Sequence, residues 1–272
     1  MYSIIFVTAT CLLIFCQESI TLEGDATKSK REYQSISNVS TVDRDGTVSR
    51  KKRTIYGYAV NEYEYPYVVS VQVSYSHVCG GTILTPRLIL TAAHCLEAGQ
   101  ISSVAVSSQY GKNHYRVAQS IPHQQYYHDQ YNIVYDIALL VLGESIPNAK
   151  TVSLQRQPQR VPDNSMAYAL GWGKTENGFN SQQLKRVDVP LLFPSQCRLD
   201  NRFMKKLVCI DTRRGNVCFG DSGGPIMYGN NQVGVTSYVR GNVNPCMSGM
   251  PAIFTRVSAY YDWIQQYVQY YP

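Results

Sequence analysis

Apolar residues recur along this chain in short runs that are separated by turn-forming residues. Four such runs are Tyr67–Val73, Leu88–Leu90, Leu139–Leu142 and Gln232–Thr236. Their short length, their content of Val, Leu and Ile, and the Gly, Pro, Asn and Ser residues around them are typical of β-strands. The pattern therefore predicts an all-β protein.

Two segments break this pattern. Near the end of the chain, Tyr260–Val268 has apolar residues at helical spacing, which predicts a C-terminal helix that packs on the body. At the start, residues 1–20 contain one charged side chain, Glu18, and an apolar stretch from Ile4 to Phe15. That stretch is too short to cross a bilayer comfortably, so we interpret residues 1–22 as a signal peptide.

Residues 23–53 are polar and rich in Ser, Thr, Asp, Lys and Arg, so they lack the apolar surface needed for a core of their own. We interpret them as a propeptide. It carries a glycosylation sequon at Asn38 and ends in the basic run Arg50–Arg53. The remaining residues, 54–272, form the predicted folded domain.

Charge and cysteine content indicate in which compartment the protein works and which kinds of partner it is expected to have. The formal net charge is +6, and without a basic–aromatic repeat this mild excess predicts no nucleic-acid partner. No stretch after the signal peptide is long and apolar enough to predict a membrane span. Of the 8 cysteines, Cys11 and Cys16 lie in the signal peptide. The other six predict disulfides in a secreted, extracellular protein, although spacing alone leaves about 15 pairings open.

The run Gly220–Pro225, with the sequence Gly-Asp-Ser-Gly-Gly-Pro, can place a nucleophile and its supporting groups in one tight turn. We assign Ser222 as the nucleophile, and the backbone amides of Gly220 and Ser222 as donors to an oxyanion. A serine hydroxyl needs a base that removes its proton and an acid that orients the base. His94, which follows an apolar run, and Asp136, which precedes another, supply these two groups.

Each motif also has a purely structural explanation when it is taken alone. A His-Cys pair is more often structural than catalytic, and Gly-Asp-Ser-Gly is more often a simple turn. Their joint occurrence in the chain order His, Asp, Ser favours a serine protease. Subtilisins and α/β-hydrolases have the same groups in other orders.

With these motifs the chain resembles the chymotrypsin/trypsin family of serine proteases from Thr54 to Pro272. Further landmarks of the resemblance are Cys79–Thr82, Gly171–Gly173 and Ser237. The resemblance implies two six-stranded antiparallel barrels, divided near residue 150, with the candidate catalytic residues in the cleft between them. It implies hydrolysis of proteins or peptides, and protease inhibitors as further partners. It also implies the disulfides Cys79–Cys95, Cys197–Cys209 and Cys218–Cys246.

The basic run Arg50–Arg53 resembles a furin-type processing site, which implies an activating protease as a partner. Cleavage after Arg53 would make Thr54 the new amino terminus. In the family, the new α-amino group pairs with the aspartate just before the nucleophile, here Asp221. The segment Thr54–Gly57 is Thr-Ile-Tyr-Gly where the family usually has Ile-Val-Gly-Gly. Its tyrosine must point outward or change the local backbone.

The resemblance also assigns five residues to the primary specificity pocket: Asn216, Val217, Ser237, Val239 and Ala252. Asn216 stands at the floor, where trypsin-like members carry aspartate. Val239 and Ala252 stand where open pockets have glycine, and Ser237 is expected to donate to Asp136. The pocket therefore predicts an elastase- or chymotrypsin-like preference for an apolar residue on the acyl side of the scissile bond (P1). The amide of Asn216 leaves a polar P1 side chain as an alternative.

We expect no cofactor and no metal. The loop Ser107–Asn113 lies where calcium-binding relatives carry acidic ligands, but it contains no carboxylate. Two other function classes remain open. One is a non-catalytic homologue that acts as a binding or regulatory protein. The other is a regulatory or toxin-like protease with few targets, which the multibasic processing site favours over a digestive enzyme.

Overall fold

The computed structural model describes residues 41–42, 48–49, 57–108, 111–129, 133–157, 161–197, 199, 202–241 and 244–272. The predicted signal peptide, the Asn38 sequon, Arg50–Arg53 and Thr54 lie outside the described residues. The chain divides into two units, Met1–Lys52 and Arg53–Pro272. In the first unit, strands β1 (Thr41–Val42) and β2 (Val48–Ser49) pair antiparallel.

Six strands of the second unit close into an antiparallel barrel. They are β4 (Val68–Val73), β5 (Ser76–Thr85), β6 (Leu88–Thr91), β7 (Ser103–Ser108), β8 (Gly111–Pro122) and β11 (Ala138–Leu142). Their order around the barrel is β11, β6, β5, β4, β7, β8. Between β8 and β11, the short strands β9 (Tyr127–His128) and β10 (Ile133–Val134) pair with each other. Closure leaves the barrel without an exposed strand edge.

The other strands form an eight-stranded sheet. They are β3 (Tyr58–Ala59), β12 (Ser153–Leu154), β13 (Met166–Gly171), β14 (Lys185–Pro190), β15 (Leu207–Ile210), β16 (Pro225–Tyr228), β17 (Asn231–Tyr238) and β18 (Ala252–Arg256). Leu191, just after β14, bridges to Ile210 on β15, and the Leu192 N–H donates to the Cys209 carbonyl. These contacts curl β13–β18 into a second six-stranded barrel. The predicted double-barrel fold is therefore confirmed.

The chain ends in the predicted helix, α1, which spans Tyr261–Tyr270. Its residue Ile264 is fully buried in the same apolar cluster as Leu139 and Leu140 of β11. The helix therefore covers the first barrel. No helix within the described ranges has the length and apolar content that a membrane span requires.

Three disulfides form, and they are the pairings that the resemblance implied: Cys79–Cys95, Cys197–Cys209 and Cys218–Cys246. The first joins β5 to the turn after β6. The third joins the segment before Ser222 to the loop before β18. A cross-link of this kind typically stabilises a domain by about 2–4 kcal/mol, and the first and third lie next in sequence to the segments of His94 and Ser222.

Buried polar contacts connect the two barrels at their interface. Thr255 Oγ1 on β18 donates to the main-chain oxygen of Asp136 at 2.7 Å. His77 Nε2 on β5 lies 2.9 Å from the Gly220 carbonyl oxygen. A carbonyl can only accept, so Nε2 carries the hydrogen. These bonds fix first-barrel and second-barrel residues relative to one another at the cleft.

Candidate active site

His94 lies in a short 3-10 helix, Ala93–Ala98, that follows strand β6. Asp136 lies two residues before β11, which pairs with β6. The pairing brings the two side chains together. His94 Nδ1 lies 2.7 Å from Asp136 Oδ2, and the His94 backbone N–H donates to Oδ1 at 2.9 Å. Ser237 Oγ donates to the same Oδ2 at 2.5 Å, as the sequence predicts, so three donors hold a carboxylate that is only 1% exposed.

These contacts set the ionisation of the pair. Burial favours the neutral imidazole of His94, but the hydrogen bond and charge of Asp136, together with the charge of Glu97, outweigh burial and raise its pKa. Burial also acts against ionisation of Asp136, but bonds from His94 and Ser237 outweigh it and lower the pKa. Asp136 is therefore ionised and accepts from Nδ1–H, which leaves Nε2 of His94 as the basic nitrogen.

Ser222 lies on a loop that packs directly against the end of strand β6. At Gly223, where φ is +76°, a Cβ would lie 2.2 Å from Thr91 Oγ1, so only glycine fits. The Ser222 carbonyl accepts from the Gly80 N–H at 2.7 Å. These contacts place Ser222 close to the His94 turn. Within the described residues, however, Ser222 Oγ and His94 are not hydrogen-bonded to each other, and such bonds often tighten only when substrate is bound.

The backbone N–H groups of Gly220 and Ser222 are available as donors. Neither donates to a protein acceptor in the part of the chain that the structure describes, whereas the Asp221 N–H between them donates to the Cys218 carbonyl at 2.9 Å. The Gly220 carbonyl is turned away toward His77. Backbone N–H groups of a turn that have no acceptor in the protein can together bind an anion.

The Asp221 carboxylate is enclosed behind this loop. It accepts from the N–H groups of Gly173 and Cys218 at 2.7 and 2.8 Å. A Cβ on Gly173 would lie 2.4 Å from the Asp221 Cγ, so the backbone approaches here only because the residue is glycine. Asp221 also borders a cavity of about 20 Å³ that Lys185 helps to line. Burial raises the pKa of Asp221 to about 6, although both N–H groups and the charge of Lys185 act against this rise.

Asn216, the predicted pocket floor, is 2% exposed and engaged by the main chain. Its Oδ1 accepts from the Val217 N–H at 2.9 Å, and its Nδ2 donates to the Cys246 carbonyl at 2.8 Å. Val217 and Ala252 are buried in the apolar core of the second barrel. Val239 packs against the third disulfide. The walls around Asn216 are therefore apolar, and its polar atoms are largely satisfied.

The segment Ser107–Asn113, in which we expect no metal site, carries an ammonium group on Lys112 at the start of strand β8. Lys112 Nζ is 3.6 Å from Glu62 Oε1 and 4.9 Å from the centre of a Trp172 ring. Trp172 Nε1 donates to the same carboxylate at 3.0 Å. These contacts connect the start of strand β8 to Trp172, which lies directly before Gly173, the glycine whose N–H donates to Asp221.

Two residues of this site were not predicted from the sequence. His77 holds the Gly220 carbonyl, and Tyr135, directly before Asp136, has a positive φ of 53°. A lone histidine on a strand and a tyrosine in a loop carry no motif. Their roles depend on contacts with residues that are distant in the chain.

Comparison with known proteins identifies relatives along most of the chain. The family model described as Trypsin matches residues 54–264. Hypodermin-B of Hypoderma lineatum is 32% identical over 227 residues, which cover 79% of this chain and 87% of that protein. A trypsin of Phaedon cochleariae is 30% identical over 229 residues, 78% of this chain and 87% of that protein. Trypsin 5G1 of Aedes aegypti is 31% identical over 229 residues, 79% of this chain and 84% of that protein.

Proposed function

This chain belongs to the trypsin family of serine endopeptidases, and from that premise we propose that it is secreted as a precursor whose residues His94, Asp136 and Ser222 hydrolyse peptide bonds after cleavage at Arg53. The observation that carries the proposal is the His94–Asp136 pair. Its geometry fixes His94 at Nδ1 and at the main chain, and leaves Nε2 as the nitrogen that can exchange a proton with a hydroxyl.

In the first half of the proposed reaction, Ser222 Oγ attacks the scissile carbonyl carbon and its proton passes to His94 Nε2. Asp136 stabilises the imidazolium that forms. The imidazolium then gives the proton to the leaving amine as the C–N bond breaks, which leaves an acyl ester on Ser222. In the second half, a water molecule gives a proton to His94 and attacks the ester, and the acid product leaves as Ser222 recovers its proton.

The proposed oxyanion donors are the N–H groups of Gly220 and Ser222. A donor of this kind typically contributes about 2.7–4 kcal/mol to the transition state. The Gly220–Asp221 peptide group is held at both ends, because its carbonyl accepts from His77 and its N–H, that of Asp221, donates to the Cys218 carbonyl. The Ser222–Gly223 peptide group is held in the same way by the Gly80 N–H and the Thr236 carbonyl. The Ser222 N–H therefore lies between two fixed peptide groups, and the Gly220 N–H directly precedes the first of them.

The start of the described domain supports the proposed activation step. Strand β3 pairs with β14 so that Ala59 lies opposite Lys185, which lines the cavity beside Asp221. Thr54 lies three residues before Gly57, and an extended chain spans about 3.3–3.6 Å per residue, or about 10 Å here. This placement supports an ion pair between a new Thr54 amine and Asp221. The positive charge would ionise a carboxyl that burial holds partly neutral.

The proposed specificity is for an apolar P1 residue. A Lys or Arg side chain would lose its water in a pocket whose floor is an amide rather than a carboxylate, at a cost of several kcal/mol. Asp211, a nearby carboxylate in the sequence, pairs with Arg213 at 2.6 Å instead. Apolar walls at Val217, Val239 and Ala252 favour small or medium apolar side chains over large ones.

A panel of fluorogenic peptides that differ only at P1 tests this proposal. Mature protein should cleave after Val, Ala, Ile or Leu at least about 10-fold faster than after Arg or Lys, because the basic residues lack a partner. Asn216→Asp should speed cleavage after Arg and Lys, but only in part, because Val239 and Ala252 would still narrow the pocket entrance. Ser222→Ala is the control for contaminating proteases. Efficient cleavage after Arg by the unaltered enzyme would contradict the assigned pocket.

A further inference from the structure

Tyr135, directly before Asp136, holds a backbone conformation that large side chains seldom adopt. Its φ is 53°, in the left-handed region that favours glycine and tolerates asparagine. A residue held in this region is strained, and the strain persists only where surrounding contacts enforce it. The contacts of the Tyr135 side chain are therefore expected to hold the backbone that leads into Asp136.

The Tyr135 ring lies in a cluster of aromatic side chains, and the Lys206 ammonium group contacts this cluster. The ring stacks on His123 with centres 5.4 Å apart and an interplanar angle of 14°, and meets Tyr260 edge-on at 6.3 Å. Lys206 Nζ lies 3.9 Å from the centre of the Tyr135 ring and 5.9 Å from that of Tyr260. An ammonium group at these distances is attracted to the ring faces.

Lys206 comes from the second barrel, and its own backbone is fixed. It lies just before β15, where its N–H donates to the Phe203 carbonyl at 2.8 Å and its carbonyl accepts from the Arg256 N–H at 2.9 Å. Tyr260 is 4% exposed, so the opposite side of the cluster is also fixed. The Lys206 ammonium group therefore connects a fixed part of the second barrel to the strained Tyr135 of the first barrel.

Movement of Tyr135 would be transmitted to Asp136. The Tyr135 carbonyl accepts from the Ile137 N–H at 2.9 Å, so the two peptide groups on either side of Asp136 turn together. The Asp136 carboxylate must meet both the backbone N–H and Nδ1 of His94. Misplacement of a catalytic group by about 1 Å can cost about 100-fold in rate.

We propose that Lys206 is a positioning residue for the reaction: its ammonium group, seated on the Tyr135 ring, holds Tyr135 in the left-handed conformation that aims Asp136 at His94. The inference rests on the proposed roles of His94 and Asp136. Lys206 touches neither substrate nor the reacting atoms. It acts through Tyr135 alone.

The test compares Lys206→Met with Lys205→Met in the mature enzyme, on a slow amide substrate, with rates normalised to folded protein. Lys205 is the adjacent, exposed lysine. Lys206→Met should lower kcat about 2- to 30-fold with KM unchanged, the range that corresponds to loss of a cation–π contact. Lys205→Met should change neither constant. Lys206→Arg should keep most of kcat, since guanidinium also binds aromatic faces.

A double variant separates positioning from a merely structural role. Adding Tyr135→Asn to Lys206→Met should restore kcat, because asparagine tolerates positive φ without an aromatic cluster. A structural role alone would lower the melting temperature of Lys206→Met and leave kcat intact, which would overturn the proposal. So would a loss of kcat that Tyr135→Asn does not restore. These outcomes can be told apart from a failure of the proposed catalytic roles, because in that case His94→Ala and Asp136→Asn would stay active.

Discussion

At the scale of single residues, catalysis depends on how Asp136 is held. Its oxygens accept from the backbone and side chain of His94 and from Ser237, and its main-chain oxygen accepts from Thr255. No freedom is left for the carboxylate to turn away. The imidazole is therefore restricted to one tautomer, which is the condition for Nε2 to act as a base.

The first prediction concerns these side chains. His94→Ala and Ser222→Ala should each lower kcat by several orders of magnitude, because members of a catalytic unit act together. Asp136→Asn should lower kcat by about 10⁴-fold through the wrong imidazole tautomer, with the fold intact. Single-turnover rates and circular dichroism check both parts. Near-normal turnover in any of the three variants would contradict the assigned roles.

The second prediction concerns pH. The reaction needs neutral His94, and its pKa is raised above the ordinary value of about 6.5 by Asp136 and Glu97. Activity should therefore fall as the pH drops through a midpoint above that value. Glu97→Gln should shift the midpoint of the kcat/KM profile to lower pH, because one negative charge is lost. Glu64→Gln is the control, because it removes an exposed charge that does not affect His94. An equal shift of the midpoint in the two variants would contradict a specific effect of Glu97 on His94.

At the scale of secondary structure, four strands and the C-terminal helix are predicted by the sequence. The four strands are mostly buried and show as short apolar runs, and the helix shows as apolar residues at helical spacing around the buried Ile264. Strand β8, Gly111–Pro122, was not predicted because its residues are mostly exposed and carry no apolar run. The 3-10 helix that carries His94 was not predicted either. The left-handed Tyr135 depends on Lys206 and His123, which no local pattern connects to it.

The third prediction concerns the core of the second barrel. Phe254 on β18 is fully buried among apolar side chains. Phe254→Ala should lower the free energy of unfolding by about 3–5 kcal/mol, through lost burial and the cavity that remains. Phe179 is 77% exposed, so Phe179→Ala removes the same atoms with an expected change of about 0.5 kcal/mol or less. Urea titration measures both, and equal losses would contradict the described core.

At the scale of the whole molecule, the two barrels and the disulfides followed from the family resemblance, whereas the site needs contacts across the barrel interface. His77 to Gly220 and Thr255 to Asp136 are examples that are remote in the sequence. The proposed activation adds a further long-range contact. It joins the start of the mature chain to Asp221, which lies directly before the nucleophile.

The fourth prediction concerns the stability of the uncleaved chain. Folding raises the pKa of Asp221 to about 6 from about 4, so its contribution to stability is present below pH 4 and is lost as the pH rises through 6. Relative to its Asp221→Asn variant, an uncleavable Arg53→Gln precursor should lose stability over this interval. In the mature chain the Thr54 amine should favour the ionised Asp221, so stability relative to Asp221→Asn should rise with pH over this interval instead of falling. The same slope in both forms would contradict the proposed ion pair.

The most direct measurement of the central claim is covalent labelling with an alkyl fluorophosphonate, located by mass spectrometry of the digested protein. We expect one adduct on Ser222 of the mature enzyme, slow labelling of the Arg53→Gln precursor, and no labelling of His94→Ala on the same timescale. An adduct on another residue, no adduct at all in the mature enzyme, or equal labelling of His94→Ala would contradict the central claim.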